Sequence, residues 1–266
     1  MSTLTTHTTA SRDSHSIGLC KFNTTSKAIE VSDGTDWLVY DYDSVQAGTI
    51  TNTYSVDLDG TNDKVSFGNL TNLNSAANLS LSIWFKLDSL KSGGNMIFHS
   101  GASASNRFVL WSNTANKIEV FMGLSAVLTG STTLTTNTWH HASVFKNGTS
   151  ASVYLNNTLE ASSTSAPSTT QSTAGNGALI GAATIYGPYY SDGHFDECAL
   201  WTSDISSDRS SLWNSGTPAN LASLNPLHWW RMGDNDSGTG TTVTDQGSGG
   251  ANGTLENGAA FVADVV

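Results

Sequence analysis

Pairs of carboxylates are the first candidates for chemistry in this sequence, because two of them facing one cleft can hydrolyse a glycosidic bond. On a β-strand such a pair needs a spacing of two residues, since alternate side chains share a face. Asp196 and Glu197 are adjacent, so we expect them on opposite faces, and neither Glu119 nor Glu160 has an acidic residue two positions further on. We therefore predict that the chain is not an enzyme, and a polysaccharide hydrolase is kept as a third alternative.

Two acidic turns offer oxygen ligands of the kind that calcium prefers. One contains Asp59 and Asp63, and the other contains Asp234 and Asp236, with Asp245 further along the chain. The two turns are expected to meet at one rim if the C-terminal segment pairs with the strand that precedes the first turn. These five residues are the predicted ligands of a structural calcium ion. Solvated turns are the alternative, because Asp side chains also bond to their own backbone.

Aromatic side chains beside amide and carboxylate groups could bind a sugar, because a sugar ring stacks on an aromatic face. The loop with Tyr186, Tyr189 and Tyr190 is the best candidate, since its Gly-Pro turn is expected to hold Tyr189 and Tyr190 outward. Trp111 is the fourth predicted ligand-binding residue. Each Trp considered, Trp84 and Trp111 included, is equally compatible with a place in the core.

Two adjacent histidines, His140 and His141, invite a metal site. Neighbouring residues of a strand point to opposite faces, and no further ligand stands at a spacing that would complete such a site. We therefore predict that the strand with these histidines serves packing.

The elements that must position these residues are short strands joined by turns. Residues 79–87 alternate between apolar and polar side chains, which is the pattern of a strand with one buried face. The turn at 59–63 contains Asp-Gly between two apolar alternations, and this predicts a hairpin. One short helix is predicted at 208–214, capped by Ser206 or Ser207. The class is therefore all-β.

Composition excludes several functions. The net charge is −11, with 11 Lys and Arg against 22 Asp and Glu, and no basic stripe exists for a nucleic-acid backbone. No apolar run reaches the length of a membrane span, and the segment 1–16 lacks the apolar core of a signal peptide. Cys20 and Cys198 have no partner spacing, so we expect two thiols in a protein made in a reducing cytoplasm.

Five segments in this order resemble the landmarks of concanavalin A-like, laminin-G-like jelly-roll domains: DLDGTNDKVSFGN, LSLSIWFKLD, NTWHHASVFKNGTSASVYLNNTLEA, ALIGAA and DGHFDECALWTSDISSDRSSLWNSG. The resemblance runs from about Tyr54 to Gly216. It implies a two-sheet antiparallel jelly-roll sandwich, and such domains often bind a structural calcium at a rim. The family's usual Asp-Gly turn is replaced here by Asn156-Asn157, and because Asn also adopts positive φ, we expect the turn to be kept.

Both ends of the chain carry further resemblances. The C-terminal segment LHWWRMGDNDSGTGTTVTDQGSGGANGTLENGAAF is similar to one that often opens such domains, so we expect it to close the sheet beside the strand at Tyr54. The phrases LHWWRMGD and DQGSG are similar to those of many marine phage structural proteins. The segment FNTTSKAIEVSDGTDWLVY resembles the attachment modules of bacteriophage virion proteins. We divide the chain into an N-terminal arm and attachment β module, 1–48, and a sandwich, 49–266.

These resemblances imply a virion structural protein, such as a capsid decoration, a head fibre or a tail-fibre component. Its expected partners are capsid or tail proteins, contacted through residues 1–48, further copies of the chain in a homo-oligomer, and a cell-surface glycan. Neither nucleic acid nor a membrane is expected as a partner. The alternative is a free or secreted carbohydrate-binding lectin module.

Overall fold

The computed structural model describes residues 5–7, 20–23, 28–32, 35, 37–40, 50–103, 105–168, 177–183 and 189–266. The chain forms two compact units, Met1–Ile50 and Thr51–Val266. The first unit contains one four-stranded sheet, with its strands in sequence order: β1 (Thr5–His7), β2 (Cys20–Asn23), β3 (Ala28–Ser32) and β4 (Trp37–Tyr40). β1 pairs with β2 in parallel, and the other two pairings are antiparallel.

Nearly all regular elements among the described residues of the second unit are strands. They are β5 (Ser55–Asp59), β6 (Lys64–Ser66), β7 (Asn78–Leu87), β8 (Asn95–Ser103), β9 (Asn106–Ser112), β10 (Lys117–Met122), β11 (Ser125–Thr133), β12 (Trp139–Asn147), β13 (Ser150–Leu155), β14 (Thr158–Ser163), β15 (Ala178–Ile180), β16 (Ala182–Ala183), β17 (Tyr189–Tyr190), β18 (Asp192–Trp201), β19 (His228–Trp230), β20 (Thr242–Val243), β21 (Gly253–Glu256) and β22 (Ala260–Val262). No helix among the described residues is long and apolar enough to cross a membrane.

Two antiparallel sheets of eight strands each form the sandwich. Sheet I has the order β11-β10-β9-β8-β15-β6-β21-β20. Sheet II has the order β14-β13-β12-β7-β18-β5-β22, and β19 also pairs with β18. A separate two-stranded ladder joins β16 to β17. The predicted all-β sandwich of concanavalin A type is confirmed.

The core lies between the two sheets and follows the alternation of the strands. In β7 the side chains of Leu81, Ile83 and Phe85 are fully buried, as the period-2 pattern predicts. Trp84 points to the other face, yet it is only 2% exposed. The ring of Trp213 covers it at 5.2 Å between centroids and 20° between planes. Trp84 is therefore a packing residue on the outer face of sheet II.

The helix that carries Trp213 occurs where the sequence predicts it. This helix, α1 (Arg209–Trp213), continues from a 3₁₀ turn at 206–208 and ends at Asn214, which is left-handed with φ 42°. Its N-cap residue is Asp208, and no side chain caps the helix, so the predicted Ser cap is wrong. The predicted Asn156-Asn157 turn is confirmed, because both residues have positive φ between β13 and β14.

The Asp-Gly turn at 59–63 is not the predicted hairpin. β5 belongs to sheet II and β6 to sheet I, so the turn carries the chain from one sheet to the other. Leu58 and Val65, one on each side of the turn, are both fully buried in the same core. A hairpin would place both strands in one sheet, whereas here the two apolar alternations face each other across the sandwich.

The C-terminal segment closes both sheets. β22 pairs with β5 and β21 pairs with β6, so the predicted docking beside the strand at Tyr54 is confirmed. Trp230 of β19 is fully buried, and its ring stacks on Phe67 at 3.9 Å. The tail therefore completes the core from the end of the chain, as neighbouring termini allow.

Candidate functional site

A half-buried aromatic surface lies on the outer side of sheet I. In β9 and β10 the residues Phe108, Leu110 and Val120 point into the core and are fully buried. The residues between them point outward, and Trp111 and Phe121 are half-buried there. Trp111 lies opposite Glu119, and Phe121 lies opposite Val109, so the antiparallel register sets all of them on one face.

Four side chains define what we call the aromatic face: Arg107, Trp111, Phe121 and Tyr189. The Trp111 ring lies 6.0 Å from Phe121 and 6.2 Å from Tyr189, with interplanar angles of 64° and 83°. The guanidinium carbon of Arg107 lies 4.2 Å from the Phe121 ring centroid. These edge-to-face and cation–π contacts fix the rings in one arrangement before any ligand binds.

Buried residues support the aromatic face from below. Met96, Val109 and Ala183 form a small apolar cluster of their own, and the Trp111, Phe121 and Tyr189 rings pack on it. The loop before β8 also closes on the indole. Gly94 has φ of +90°, and a Cβ at this position would lie 2.7 Å from a ring carbon of Trp111. Only glycine therefore allows this close approach.

Polar groups adjoin the aromatic face. Glu119 accepts hydrogen bonds from Trp111 Nε1 at 3.0 Å, from Thr129 Oγ1 at 3.0 Å and from Asn113 Nδ2 at 3.3 Å. The carboxylate thus orients the indole and places an amide and a hydroxyl at its edge. Aromatic rings next to such groups are the combination that sugar recognition requires.

The structure brings together two of the four predicted ligand-binding residues. Trp111 and Tyr189 are in contact, although Trp111 belongs to β9 of sheet I and Tyr189 to the separate ladder of β16 and β17. Tyr190 follows Tyr189 directly in β17, so its side chain points to the opposite side of that strand. Tyr186 lies outside the described residues. The sequence analysis missed Phe121, although the alternation of β10 between buried and half-buried positions places it on the outer face.

The predicted calcium ligands make hydrogen bonds within the chain. Asp59 accepts from the backbone of Thr61, and Asp63 accepts from the backbone of Asp59. In the tail, Asp234 accepts from Arg231 and from the backbone of Thr53 and Tyr54, Asp236 accepts from Thr244, and Asp245 accepts from His228 and Trp229. Among the described residues, no three of these five carboxylates lie close enough together to hold one metal ion. Calcium binding by them stays a prediction.

The adjacent carboxylates Asp196 and Glu197 do not alternate as expected. A β-bulge interrupts the pairing of β18 with β7 between Asp196 and Ala199, and Glu197 has φ of 44°. Both side chains are buried, and they interact electrostatically. Burial raises the pKa of Glu197 to about 7, although the charge of Arg231 opposes this rise. Burial and the neighbouring Glu197 also raise the pKa of Asp196 well above its usual value.

The surroundings of this carboxylate pair are closed. Glu197 accepts from Trp229 Nε1 at 2.6 Å and from Arg231 Nε at 2.8 Å, and Asn52 Nδ2 donates to Asp196 at 2.9 Å. Because both carboxyl groups are enclosed by these partners, neither is placed to contact a polysaccharide substrate.

The two adjacent histidines are buried, with exposures of 7% for His140 and 1% for His141. His141 Nε2 lies 2.8 Å from Ser82 Oγ, and its ring lies 4.9 Å from that of Trp84. Burial lowers the pKa of His141 to about 3, so this imidazole is neutral. The His141 ring packs beside Trp84 on the outer face of sheet II, whereas the His140 ring lies on the opposite face, 5.6 Å from the core residue Phe85. Both rings pack against aromatic side chains.

The family of the chain follows from these elements together with a sequence match. Residues 59–209 match the Laminin_G_3 family, described as the concanavalin A-like lectin/glucanases superfamily. This segment is more than half of the chain, and it runs from the Asp-Gly crossover to the start of α1. The chain belongs to this family. A comparison with curated protein sequences gives no significant match.

Several solved structures are similar to this chain. A protein of Bacteroides ovatus ATCC 8483, provisionally assigned as a carbohydrate binding protein, has a TM-score of 0.65 and 17% identity over 80% of this chain and 60% of that one. A heptameric pentraxin of Limulus polyphemus has a TM-score of 0.48 and 13% identity over 61% of this chain and 82% of that one. A sialidase of Trypanosoma rangeli has a TM-score of 0.49 and 13% identity over 64% and 28%. This chain thus spans about three fifths of the Bacteroides protein, and the likeness concerns the fold alone.

Proposed function

We propose that this chain is a non-enzymatic, lectin-like protein that binds glycans through the aromatic face of sheet I. The observation that carries the proposal is the contact between Trp111 and Tyr189 on the outer side of the sheet, beside the hydrogen-bonded Glu119. The fold belongs to a superfamily named for lectins and glucanases. The similar Bacteroides protein is provisionally assigned as carbohydrate binding.

The geometry suits a sugar better than a purely apolar ligand. The half-buried rings offer part of their surface for the C–H face of a pyranose, and the rest of each ring packs on the supporting cluster. Asn113 and Thr129 can exchange hydrogen bonds with hydroxyl groups at the edge of the indole. Because the rings are already held in place, little conformational entropy is lost on binding.

The absence of catalysis is part of the same proposal. The adjacent acidic pair, Asp196 and Glu197, is buried and engaged with Asn52, Trp229 and Arg231. The Glu119 carboxylate of the aromatic face is occupied by three hydrogen bonds. A glycan bound at the aromatic face would therefore be held without being cleaved.

The virion role extends this proposal to the first unit of the chain. Its separate four-stranded sheet supports an attachment function for residues 1–48, because it gives the chain a compact unit in addition to the sandwich. We propose that this unit contacts capsid or tail proteins of a bacteriophage and that several copies display their sandwiches outward. Several weak glycan sites on one particle would then act together. A free or secreted lectin module is the alternative.

A glycan array with the full chain tests the binding function. The wild type is expected to bind a defined class of oligosaccharides, and the double variant Trp111→Ala/Tyr189→Ala is expected to lose this signal. The matched control is Tyr154→Ala, which removes a half-buried aromatic side chain with its own cation–π partner, Arg209, from sheet II. Equal signals from the wild type and the double variant, or no signal from the wild type, would refute the proposal.

Purification of phage particles distinguishes a virion component from a free lectin module. A virion component is expected to remain on phage particles through density-gradient purification, whereas a free lectin module is expected in the soluble fraction. Either result leaves the array experiment valid, because the array reports on the aromatic face and the gradient reports on attachment.

A further inference from the structure

A second cluster of chemically active side chains lies on sheet II, the other sheet from the aromatic face. It consists of Asp57 on β5, Asp88 directly after β7, and His194 on β18. One carboxylate oxygen from each Asp and one imidazole nitrogen all lie within 4.8 Å of one another. The three strands are neighbours, so the pairing of β18 with both β5 and β7 creates the cluster.

His194 points its Nε2 atom at these carboxylates. The distance from Nε2 is 3.3 Å to Asp88 Oδ2 and 3.8 Å to Asp57 Oδ1. The residue is only 9% exposed, and its Nδ1 atom has no hydrogen-bond partner among the described residues. The carboxylates are reached by solvent, because the Asp57 and Asp88 side chains are 46% and 34% exposed. The cluster therefore joins a buried imidazole to two carboxylates that solvent can reach.

The charges of the cluster do not cancel. A third carboxylate, Asp264, has its Oδ2 atom 3.9 Å from His194 Nε2, and Lys86 Nζ bonds to the same oxygen at 2.5 Å. Three carboxylates and one ammonium group leave an excess of two negative charges beside the imidazole. A divalent cation would neutralise this excess, and like charges held so close are otherwise unfavourable.

The ligand types select the kind of ion. Calcium takes oxygen ligands, whereas an imidazole nitrogen with carboxylates suits zinc or another first-row divalent ion. Bonds of about 2.0–2.2 Å from one ion place tetrahedral ligands about 3.3–3.6 Å apart, which is close to the separations measured from Nε2. We propose that Asp57, Asp88 and His194 bind a zinc-type divalent metal ion, with the remaining coordination position open to water.

This site is independent of the glycan-binding proposal, since it uses other residues on the other sheet. An ion there would link the central strands β7 and β18 to β5 near the C-terminal end of the chain. The competing arrangement is a protonated His194 that neutralises part of the charge without any metal. The two arrangements differ in whether the folded protein binds a divalent metal ion.

Titration of the chelator-treated full chain with Zn²⁺, followed by calorimetry, tests the site. One Zn²⁺ per chain is expected to bind and to raise the melting temperature, because an ion that binds only the folded state stabilises it. The conservative variants Asp57→Asn and Asp88→Asn are each expected to weaken Zn²⁺ binding at least about tenfold, since the amide is a much poorer ligand. Both positions are partly exposed, so the variants are expected to fold.

The matched control is Asp208→Asn, which changes a half-buried carboxylate at the start of α1, outside the cluster and outside the predicted calcium ligands. This variant is expected to bind Zn²⁺ as the wild type does. The proposal is overturned if Zn²⁺ does not bind, if Ca²⁺ binds in its place, or if the Asp57→Asn/Asp88→Asn double variant binds Zn²⁺ with unchanged affinity. Failure of the zinc-site proposal would not affect the proposal that glycans bind at the aromatic face.

Discussion

The variant Arg231→Met is expected to unfold with a free energy about 3–5 kcal/mol below that of the wild type at neutral pH, because it leaves buried carboxylates without their cation. Arg231 bonds to Glu197 at 2.8 Å and to Asp234 at 2.8 Å, and these two side chains are 2% and 4% exposed. It also donates to the backbone oxygen of Thr51 at 2.7 Å. One side chain thus links the bulge of β18 to the start of the sandwich unit and to the turn that follows β19.

The size of this loss is expected to depend on pH. Burial raises the pKa of Glu197 in the folded state to about 7, from about 4.5 for an ordinary Glu side chain. A carboxyl group with a raised folded pKa holds its proton more tightly when folded, so its contribution to stability is greatest below about pH 4.5 and is lost as the pH rises towards 7. Without Arg231 this pKa rises further, so Glu197 of the variant keeps its proton up to a higher pH, and burying its charge costs more stability as the pH rises.

Urea unfolding of the wild type and Arg231→Met at pH 5 and pH 8 measures this effect. The difference in free energy of unfolding is expected to be clearly larger at pH 8 than at pH 5. Arg209→Met is the control, because Arg209 is exposed and should change stability by no more than about 0.5 kcal/mol. A difference that is the same at both pH values would show that Arg231 acts by packing and not by neutralising Glu197.

The variant Trp111→Ala is expected to lower glycan affinity roughly thirtyfold, which corresponds to about 2 kcal/mol and is typical of a central aromatic residue in a binding site. Its indole contacts both Phe121 and Tyr189 and donates a hydrogen bond to Glu119, so its removal takes away the central ring of the aromatic face. Trp111→Phe keeps an aromatic ring and is expected to recover part of the affinity. Isothermal titration with the best array ligand gives these values.

A structural effect of Trp111→Ala must be separated from the loss of a contact. Trp111 packs on Met96, Val109 and Ala183, so the melting temperature of each variant is measured in parallel. Tyr154→Ala on sheet II serves as the control for a lost aromatic side chain. Unchanged affinity in a folded Trp111→Ala variant would place the glycan elsewhere on the protein.

The sequence predicts the sandwich because local alternation and core position agree in most strands. In β7 the alternating apolar side chains face the core, and in β10 the core-facing Ile118 and Val120 alternate with half-buried residues. Tyr189 could be selected as a binding residue because its loop contains a Gly-Pro turn, and Trp111 because an indole can stack on a sugar ring. Their contact could not be predicted, since it depends on how the β16–β17 ladder packs next to β9.

Three features depended on long-range packing and escaped prediction. The turn at 59–63 has the local chemistry of a hairpin, and only the shared core of Leu58 and Val65 shows that it joins two sheets. The bulge at Glu197 breaks strand alternation through a positive φ at a residue that is neither Gly nor Asn. The cluster at His194 unites three strands and the C-terminal Asp264, which no local pattern connects.

The central claim is that glycans bind at the aromatic face, and an NMR titration tests it most directly. The chain has eight Trp residues, and their indole N–H signals in a ¹⁵N-labelled sample can be followed separately. With Trp111 assigned through Trp111→Phe, addition of the best array oligosaccharide is expected to shift its signal most, because its Nε1 lies beside Glu119 at the site. A titration in which Trp111 is unmoved while Trp139 or another indole of sheet II shifts would contradict the claim.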